Sequence, residues 1–211
     1  MTDTPATPTA AEFWETRYRD RERVWSGRPN ELLVREVADL APGTALDLGC
    51  GEGADAVWLA GRGWRVTGAD ISGTAIERAA AHAAEAGVAD RTAFERHELG
   101  RTFPAGSFDL VNAQYLQSPV AFDQRAVLRA AADAVAPGGT LLLVMHAGWP
   151  SWQDEPPFDA VFPTLDSLPA ELALPADRWH AETRETVRRP SRSPEGAEGF
   201  RDDNVWRFRR A

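Results

Sequence analysis

The chain has 211 residues, a formal net charge of −9, 43% hydrophobic and 26% charged residues, and a single cysteine. That length suits one domain with a core large enough to stand without disulfides. The lone thiol excludes an internal disulfide framework or a multi-cysteine zinc site and makes a reducing cytoplasm the expected setting, while the acidic balance argues against the basic face that DNA or RNA binding requires.

Residues 1–10 are rich in Thr, Pro and Ala, with neither the basic start nor the apolar centre of an export signal, and are expected to be disordered. No later run approaches the length of a membrane span. Every Lys/Arg position is arginine, which together with abundant alanine reads as the bias of a GC-rich bacterial genome. Residues 11–23 carry Phe13, Trp14 and Tyr18 at helical spacing, so an amphipathic helix is expected there. Its aromatic face must cover either a ligand or the sheet. Asn30 is a candidate cap for a helix over 31–40, ahead of Ala41-Pro42-Gly43. Residues 11–43 thus read as a helical cap on a single domain spanning 11–211.

Residues 45–48 form a short apolar run, and from Ala54 apolar residues recur at helical spacing. Between them stand Gly49, Gly51 and Gly53, flanking Cys50 and Glu52. Strand, glycine turn and helix together make a loop where a ligand approaches the main chain and helical N–H groups face an anionic group. A second strand over 64–69 ends at Asp70, placed to accept hydrogen bonds from ribose hydroxyls or, more plainly, to cap the next helix. The glycine spacing fits a dinucleotide fingerprint as well as an S-adenosylmethionine (SAM) loop. Asp47 favours SAM, because a pyrophosphate would meet like charge there and an ammonium would meet a partner.

Leu46-Asp47-Leu48-Gly49-Cys50-Gly51-Glu52-Gly53, followed by Arg65-Val66-Thr67-Gly68-Ala69-Asp70-Ile71-Ser72, resembles motifs I and II of class I SAM-dependent methyltransferases. Phe13-Trp14-Glu15, Val24-Trp25-Ser26-Gly27-Arg28-Pro29-Asn30 and Trp58-Leu59-Ala60 are similar to small bacterial enzymes of the tellurite-resistance and thiopurine-methyltransferase type. The resemblance implies a Rossmann-like doubly wound α/β fold, with a mostly parallel seven-stranded sheet closed by a C-terminal antiparallel hairpin. It implies cofactor contacts from Asp47, Gly49, Cys50, Gly51, Gly53, Asp70 and Ile71. It also implies that the N-terminal helix closes over the cofactor, with Trp14, Tyr18, Trp25 and Asn30 lining the site.

Farther along, residues 73–86 read as a helix stopped by Gly87, with His82 on its surface, and residues 92–97 as a third strand. Glu98-Leu99 stands where the family has Asp-Leu, its acid facing the adenine amino group. Strand four ends in Asn112-Ala113-Gln114-Tyr115-Leu116-Gln117, at the sheet edge where ligands collect. Gln114 is expected at the cofactor, Tyr115 as a candidate catalytic residue, and Gln117 near the acceptor. The Asp/Asn-Pro-Pro-Tyr/Phe tetrad of amide and base methylating enzymes is missing. Residues 122–136 form a helix stopped by Pro137-Gly138-Gly139, and residues 140–145 a buried strand. His146 follows at its carboxyl end, a candidate general base. Residues 147–175 interleave Trp149, Trp152, Phe158 and Phe162 with Pro150, Pro156, Pro157, Pro163 and Pro169 and suggest a lid or acceptor loop. Strands over 179–189 and 204–209 form the hairpin.

Methyl transfer from a sulfonium needs alignment and exclusion of water more than acid–base help. The expected acceptor is a small molecule, and the lack of an obvious base leans toward thiols or selenium and tellurium species. A dinucleotide-dependent oxidoreductase and a SAM-binding protein without catalysis stand as alternatives. No metal constellation is visible, and the chain is expected to work as a monomer or homodimer.

Overall fold

The computed structural model describes residues 8–155 and 160–211. Seven strands form one sheet in the order β3-β2-β1-β4-β5-β7-β6. Strands β1 (Thr44–Leu48), β2 (Arg65–Asp70), β3 (Thr92–Arg96), β4 (Phe108–Gln114) and β5 (Val135–His146) run parallel. Strands β6 (Trp179–Arg192) and β7 (Glu198–Arg210) form an antiparallel hairpin, with β7 inserted beside β5. The doubly wound architecture expected from the motifs is therefore present.

β1, β4 and β5 lie at the centre of the sheet and are buried along most of their length because helices cover both faces. On one face α2 (Glu31–Glu36) and α3 (Ala54–Gly61) enclose Leu33, Leu59, Leu110, Leu142 and Val144. On the other, α5 (Gln124–Asp133) and α6 (Ser167–Leu172) enclose Leu128, Val111, Leu141, Leu143 and Trp206. The order reverses at β1 and β4, so the carboxyl ends of these two strands flank the crevice where such sheets bind ligands.

Boundaries differ from expectation where side chains capture the backbone. Helix α1 (Ala10–Arg19) begins on a capping box formed by Thr9 and Glu12. It stops four residues early because Val24 and Trp25 donate their N–H groups to the Glu52 carboxylate, not to helical carbonyls. Ala10 already belongs to this helix, and residues 1–7 of the expected disordered start lie outside the described residues. After Glu36 the chain leaves α2 through three-residue turns that bond Ala38 to Arg35 and Leu40 to Val37. Pro137-Gly138-Gly139 does not separate helix from strand. It forms a bulge inside β5, where a Cβ on Gly139 would stand 3.0 Å from the Phe108 carbonyl oxygen.

Within 147–175, α6 was not anticipated. It buries Leu168 and Leu172, and the carbonyls of Pro163 and Leu165 accept bonds from Asn204 and Trp206 of β7, so this half of the segment is packed on the sheet. Phe158, part of the expected aromatic lid, lies outside the described residues. Among the described residues no helix is long and apolar enough to cross a membrane.

Candidate functional site

The loop between β1 and α3 folds over the end of β2. Gly49 and Cys50 donate N–H bonds of 2.8 and 3.0 Å to the Ala69 carbonyl, and Gly51 donates one of 3.0 Å to Oδ2 of Asp70. Gly51 has a φ of 53°, and a Cβ there would stand 2.9 Å from the Tyr18 hydroxyl and 3.0 Å from the Trp25 indole nitrogen. Both the backbone and the aromatic roof therefore require glycine. Over Gly49 lies Leu116, whose Cδ1 would be 2.6 Å from an added Cβ. Gly53 packs against Ala79 of α4 (Gly73–Glu85). The Cys50 sulfur sits 3.0 Å from the place of a Cβ on Gly68. Burial, then the charges of Asp70 and Asp47, push its thiol pKa well up, so it fills space and is a poor nucleophile.

Three buried carboxylates surround this loop. Asp47 is 2% exposed, and its Oδ1 accepts a 2.8 Å bond from Asn112, its register partner on β4. Gln114 donates to the Asn112 oxygen at 2.8 Å. The other oxygen of Asp47 and the amide oxygen of Gln114 are buried without a hydrogen-bond partner among the described residues. Asp55, at the first turn of α3, receives the Asn30 backbone and side-chain N–H groups, both at 2.7 Å. Asp70 receives the N–H groups of Gly51 and Ser72. Burial pushes all three upward: Asp47 well above the usual carboxylate range, with Asp55 and Asp70 adding to it, Asp55 above it also, and Asp70 to about 6. No guanidinium hydrogen-bonds to any of them among the described residues. A site with surplus buried negative charge and one orphaned carboxylate oxygen suits a cationic ligand, since each unpaired group costs free energy until a partner arrives.

The N-terminal cap is fastened to this loop by Glu15 and Glu52, whose roles the sequence did not reveal, and by the cap's own aromatics. Glu15 of α1 accepts from the Ser72 and Thr74 hydroxyls at 2.7 and 2.6 Å, at the start of α4. Glu52 joins the Val24–Trp25 backbone to Arg78 at 2.9 Å. His82 donates from Nδ1 to the Glu52 carbonyl at 2.8 Å, so it ties α4 to the loop. Trp25 donates to the Tyr18 hydroxyl at 2.8 Å above Gly51. Burial and the nearby Asp70 push the Tyr18 phenol strongly up, keeping it protonated. Trp14 reaches the segment after β4, its indole donating to Ser118 at 3.2 Å.

Just after β2, Ile71 offers its carbonyl to Arg96 at 3.0 Å. Glu98 pairs with Arg101 at 3.3 Å and, with residues 8–11, Arg101 and Ala121, lines a cleft of about 300 Å³. Leu99 packs into the core beneath. Of the two, Glu98 is the one that lines this cleft.

The ends of β4 and β5 carry a second constellation. His146 on β5 faces Asp203 on β7, and its Nδ1 lies 2.7 Å from Oδ1 of Asp203. The Tyr115 hydroxyl donates to Oδ2 of Asp203 at 3.0 Å, and Arg189 Nε donates to the same atom at 2.5 Å. Asp203 is wholly buried. Burial raises its pKa, but the bonds from His146 and Arg189 outweigh this and hold it below the usual range. Burial and then the Asp203 charge push the Tyr115 phenol strongly up. The Tyr115 and His146 rings stack with centroids 4.6 Å apart, and Gln117 accepts the His146 backbone N–H at 2.9 Å. Asp203 and Arg189 carried no sequence signal, since both lie on the hairpin, remote in the chain from the motifs. Among the described residues no group of three or more His, Cys, Asp or Glu side chains gathers as a metal site.

Residues 45–139 match a family model described as a methyltransferase domain. The ubiquinone biosynthesis O-methyltransferase of Escherichia fergusonii is 32% identical over 150 residues, covering 68% of this chain and 60% of that protein. The chain thus spans less than two thirds of the length of the curated relatives it matches. A solved structure described under the conversion of a disulfide bond into a thioacetal group during echinomycin biosynthesis aligns with a TM-score of 0.74 at 28% identity, covering 95% of this chain and 91% of that one. TehB from Haemophilus influenzae shares the fold, with a TM-score of 0.67 at 14% identity over 95% of this chain and 67% of that one.

Proposed function

We propose that this chain, whose residues 45–139 match a methyltransferase-domain model, is a class I SAM-dependent enzyme that transfers a methyl group from SAM to a small-molecule nucleophile. The observation that carries the reading is the orphaned Oδ2 of buried Asp47. It lies among carboxylates that no arginine neutralises, and SAM brings an ammonium and a sulfonium to such a place. A pyrophosphate would bring more negative charge instead, which weighs against the dinucleotide alternative.

The residues divide the work by position. Asp70 accepts the ribose hydroxyls at the end of β2, and the free N–H groups at the start of α3 face the amino-acid carboxylate. Asp47, with Gln114 behind Asn112, takes the ammonium. Glu98 borders the adenine end, and Trp14 and Trp25 belong to the cap. Tyr18, Trp25 and Leu116 cover the loop and keep water from it. When bound, the cofactor supplies a methyl group on positively charged sulfur, already activated for in-line displacement. What remains for the chain is to align an acceptor at the edge carrying Tyr115 and His146.

The relatives' names mention oxygen methylation in one case and sulfur chemistry in another, which supports a hydroxyl or a thiol as acceptor. With a net charge of −9 and one cysteine, the setting we infer is the bacterial cytoplasm, with a small-molecule partner, no nucleic acid, and a monomer or homodimer. The test is transfer of label from methyl-labelled SAM to a mixture of phenols and thiols, with release of S-adenosylhomocysteine. SAM binding without transfer to any acceptor would favour the non-catalytic reading.

A further inference from the structure

We propose that His146, held in place by Asp203, is the general base that removes the acceptor's proton, so that the acceptor is a protic hydroxyl or thiol and not a proton-free or already ionised nucleophile. The inference rests on the methyltransferase reading and narrows it.

Asp203 is the hub. It is wholly buried and receives three donors: His146 Nδ1 at 2.7 Å, Tyr115 Oη at 3.0 Å and Arg189 Nε at 2.5 Å. The Arg189 guanidinium balances its charge, so the carboxylate needs no imidazolium beside it. A neutral ring that donates from Nδ1 carries its lone pair on Nε2. Nε2 has no hydrogen bond among the described residues, and the side chain is 30% exposed. The ring is thus fixed on one edge by a carboxylate and on one face by Tyr115, while the other edge remains free to accept a proton. That is the arrangement a general base requires.

The neighbours do not compete for this role. Tyr115 donates its hydroxyl to Asp203 and remains a phenol, and it is held in a left-handed backbone conformation with φ 54°. Arg189 is a permanent cation. The remaining charges that reach the cluster are Arg201 of β7, which stands over the Trp152 ring, Asp202 of β7, which adjoins Asp203, Glu31 of α2, which acts on Arg189, and Asp55 of α3, which acts on Tyr115. Asp203 is a positioning residue: it selects the tautomer and does not touch the acceptor.

In the step itself, Nε2 of His146 takes the proton from the acceptor O–H or S–H. The acceptor's electron pair forms the bond to the methyl carbon as the carbon–sulfur bond of the sulfonium breaks, and that pair returns to sulfur as a neutral thioether. One proton remains on the imidazole and passes to water. The balance closes with no other reactant.

Two measurements on the SAM-saturated full chain test the proposal. Nitrogen-15 NMR of the imidazoles should find His146 protonated at Nδ1 and bare at Nε2, and Asp203→Asn should move the proton toward Nε2. A wild-type ring protonated at Nε2 overturns the proposal. The second measurement offers catechol and 2-mercaptoethanol, both protonated near neutral pH, beside dimethyl selenide and tellurite. A protic probe should be methylated, with kcat rising as pH rises from the acid side and falling about 100-fold or more in His146→Gln, at unchanged SAM affinity. Methylation of the proton-free or ionised probes alone, or an undiminished rate in His146→Gln, overturns the proposal while leaving the methyltransferase reading intact. Absence of SAM binding by the wild-type chain would instead overturn that reading. With SAM bound and no probe methylated, the tautomer decides.

Discussion

His146 and Asp203 are paired residues on neighbouring antiparallel strands, with Nδ1 of the one 2.7 Å from Oδ1 of the other at the carboxyl end of β5. The pair joins a strand predicted from its apolar run to a hairpin strand whose site role the sequence did not reveal. It completes a hydrogen-bonded unit that also holds Tyr115 and Arg189.

Removing the hub should cost stability in a pH-dependent way. The folded-state pKa of Asp203 lies below its ordinary value of 3.8, so its stabilising contribution is complete above that value and is lost as pH falls through the folded one. Asp203→Asn should therefore be less stable than wild type near neutrality, by about 2 kcal/mol or more given the donors left unpaired. The gap should close in strong acid. Urea unfolding at several pH values measures it.

Asp47 should show the opposite sign. Burial raises its pKa well above 3.8, so the ionised group lowers stability as pH rises from 3.8 through the folded value. Asp47→Asn should match or exceed wild-type stability at pH 8, by about 1 kcal/mol. It should also bind SAM tenfold or more weakly, about 1.4 kcal/mol. Thermal unfolding and calorimetry on the same preparations separate the two effects. A variant that loses stability and retains affinity would contradict the ammonium site.

Asp70, pushed up by burial to about 6, should make cofactor affinity pH-dependent. The ribose hydroxyls bind the carboxylate, so the dissociation constant should rise below pH 6, toward roughly tenfold per pH unit. Asp70→Ala should weaken binding sharply and flatten this dependence. A pH-independent affinity in the wild type would remove Asp70 from the ribose site.

Gly51→Ala should abolish binding more than it unfolds the chain. The added Cβ would stand 2.9 Å from the Tyr18 hydroxyl at a φ of 53°, a backbone strain of about 1 kcal/mol in itself. Circular dichroism should show an intact fold while SAM titration shows lost affinity.

The sheet and the loop were legible because local rules govern them: apolar runs mark β1, β4 and β5, and alternate glycines mark the turn before α3. What escaped the sequence depends on distant partners. Glu52 reads as a loop acid until Val24, Trp25 and Arg78 converge on it. Asp203 reads as one acid in an Arg- and Asp-rich strand until the β5–β7 register sets it opposite His146. Pro137-Gly138-Gly139 misled for a related reason: breakers end a helix by local rules, and only the neighbouring strand reveals that here they form a bulge.

Calorimetric titration of the purified chain with SAM, S-adenosylhomocysteine, NAD and NADP in parallel addresses the central claim most directly. The carboxylate-lined loop predicts binding of SAM and S-adenosylhomocysteine and none of either dinucleotide. Binding of NAD or NADP, with no heat from SAM, would contradict the role given to Asp47 and the methyl-transfer account built on it.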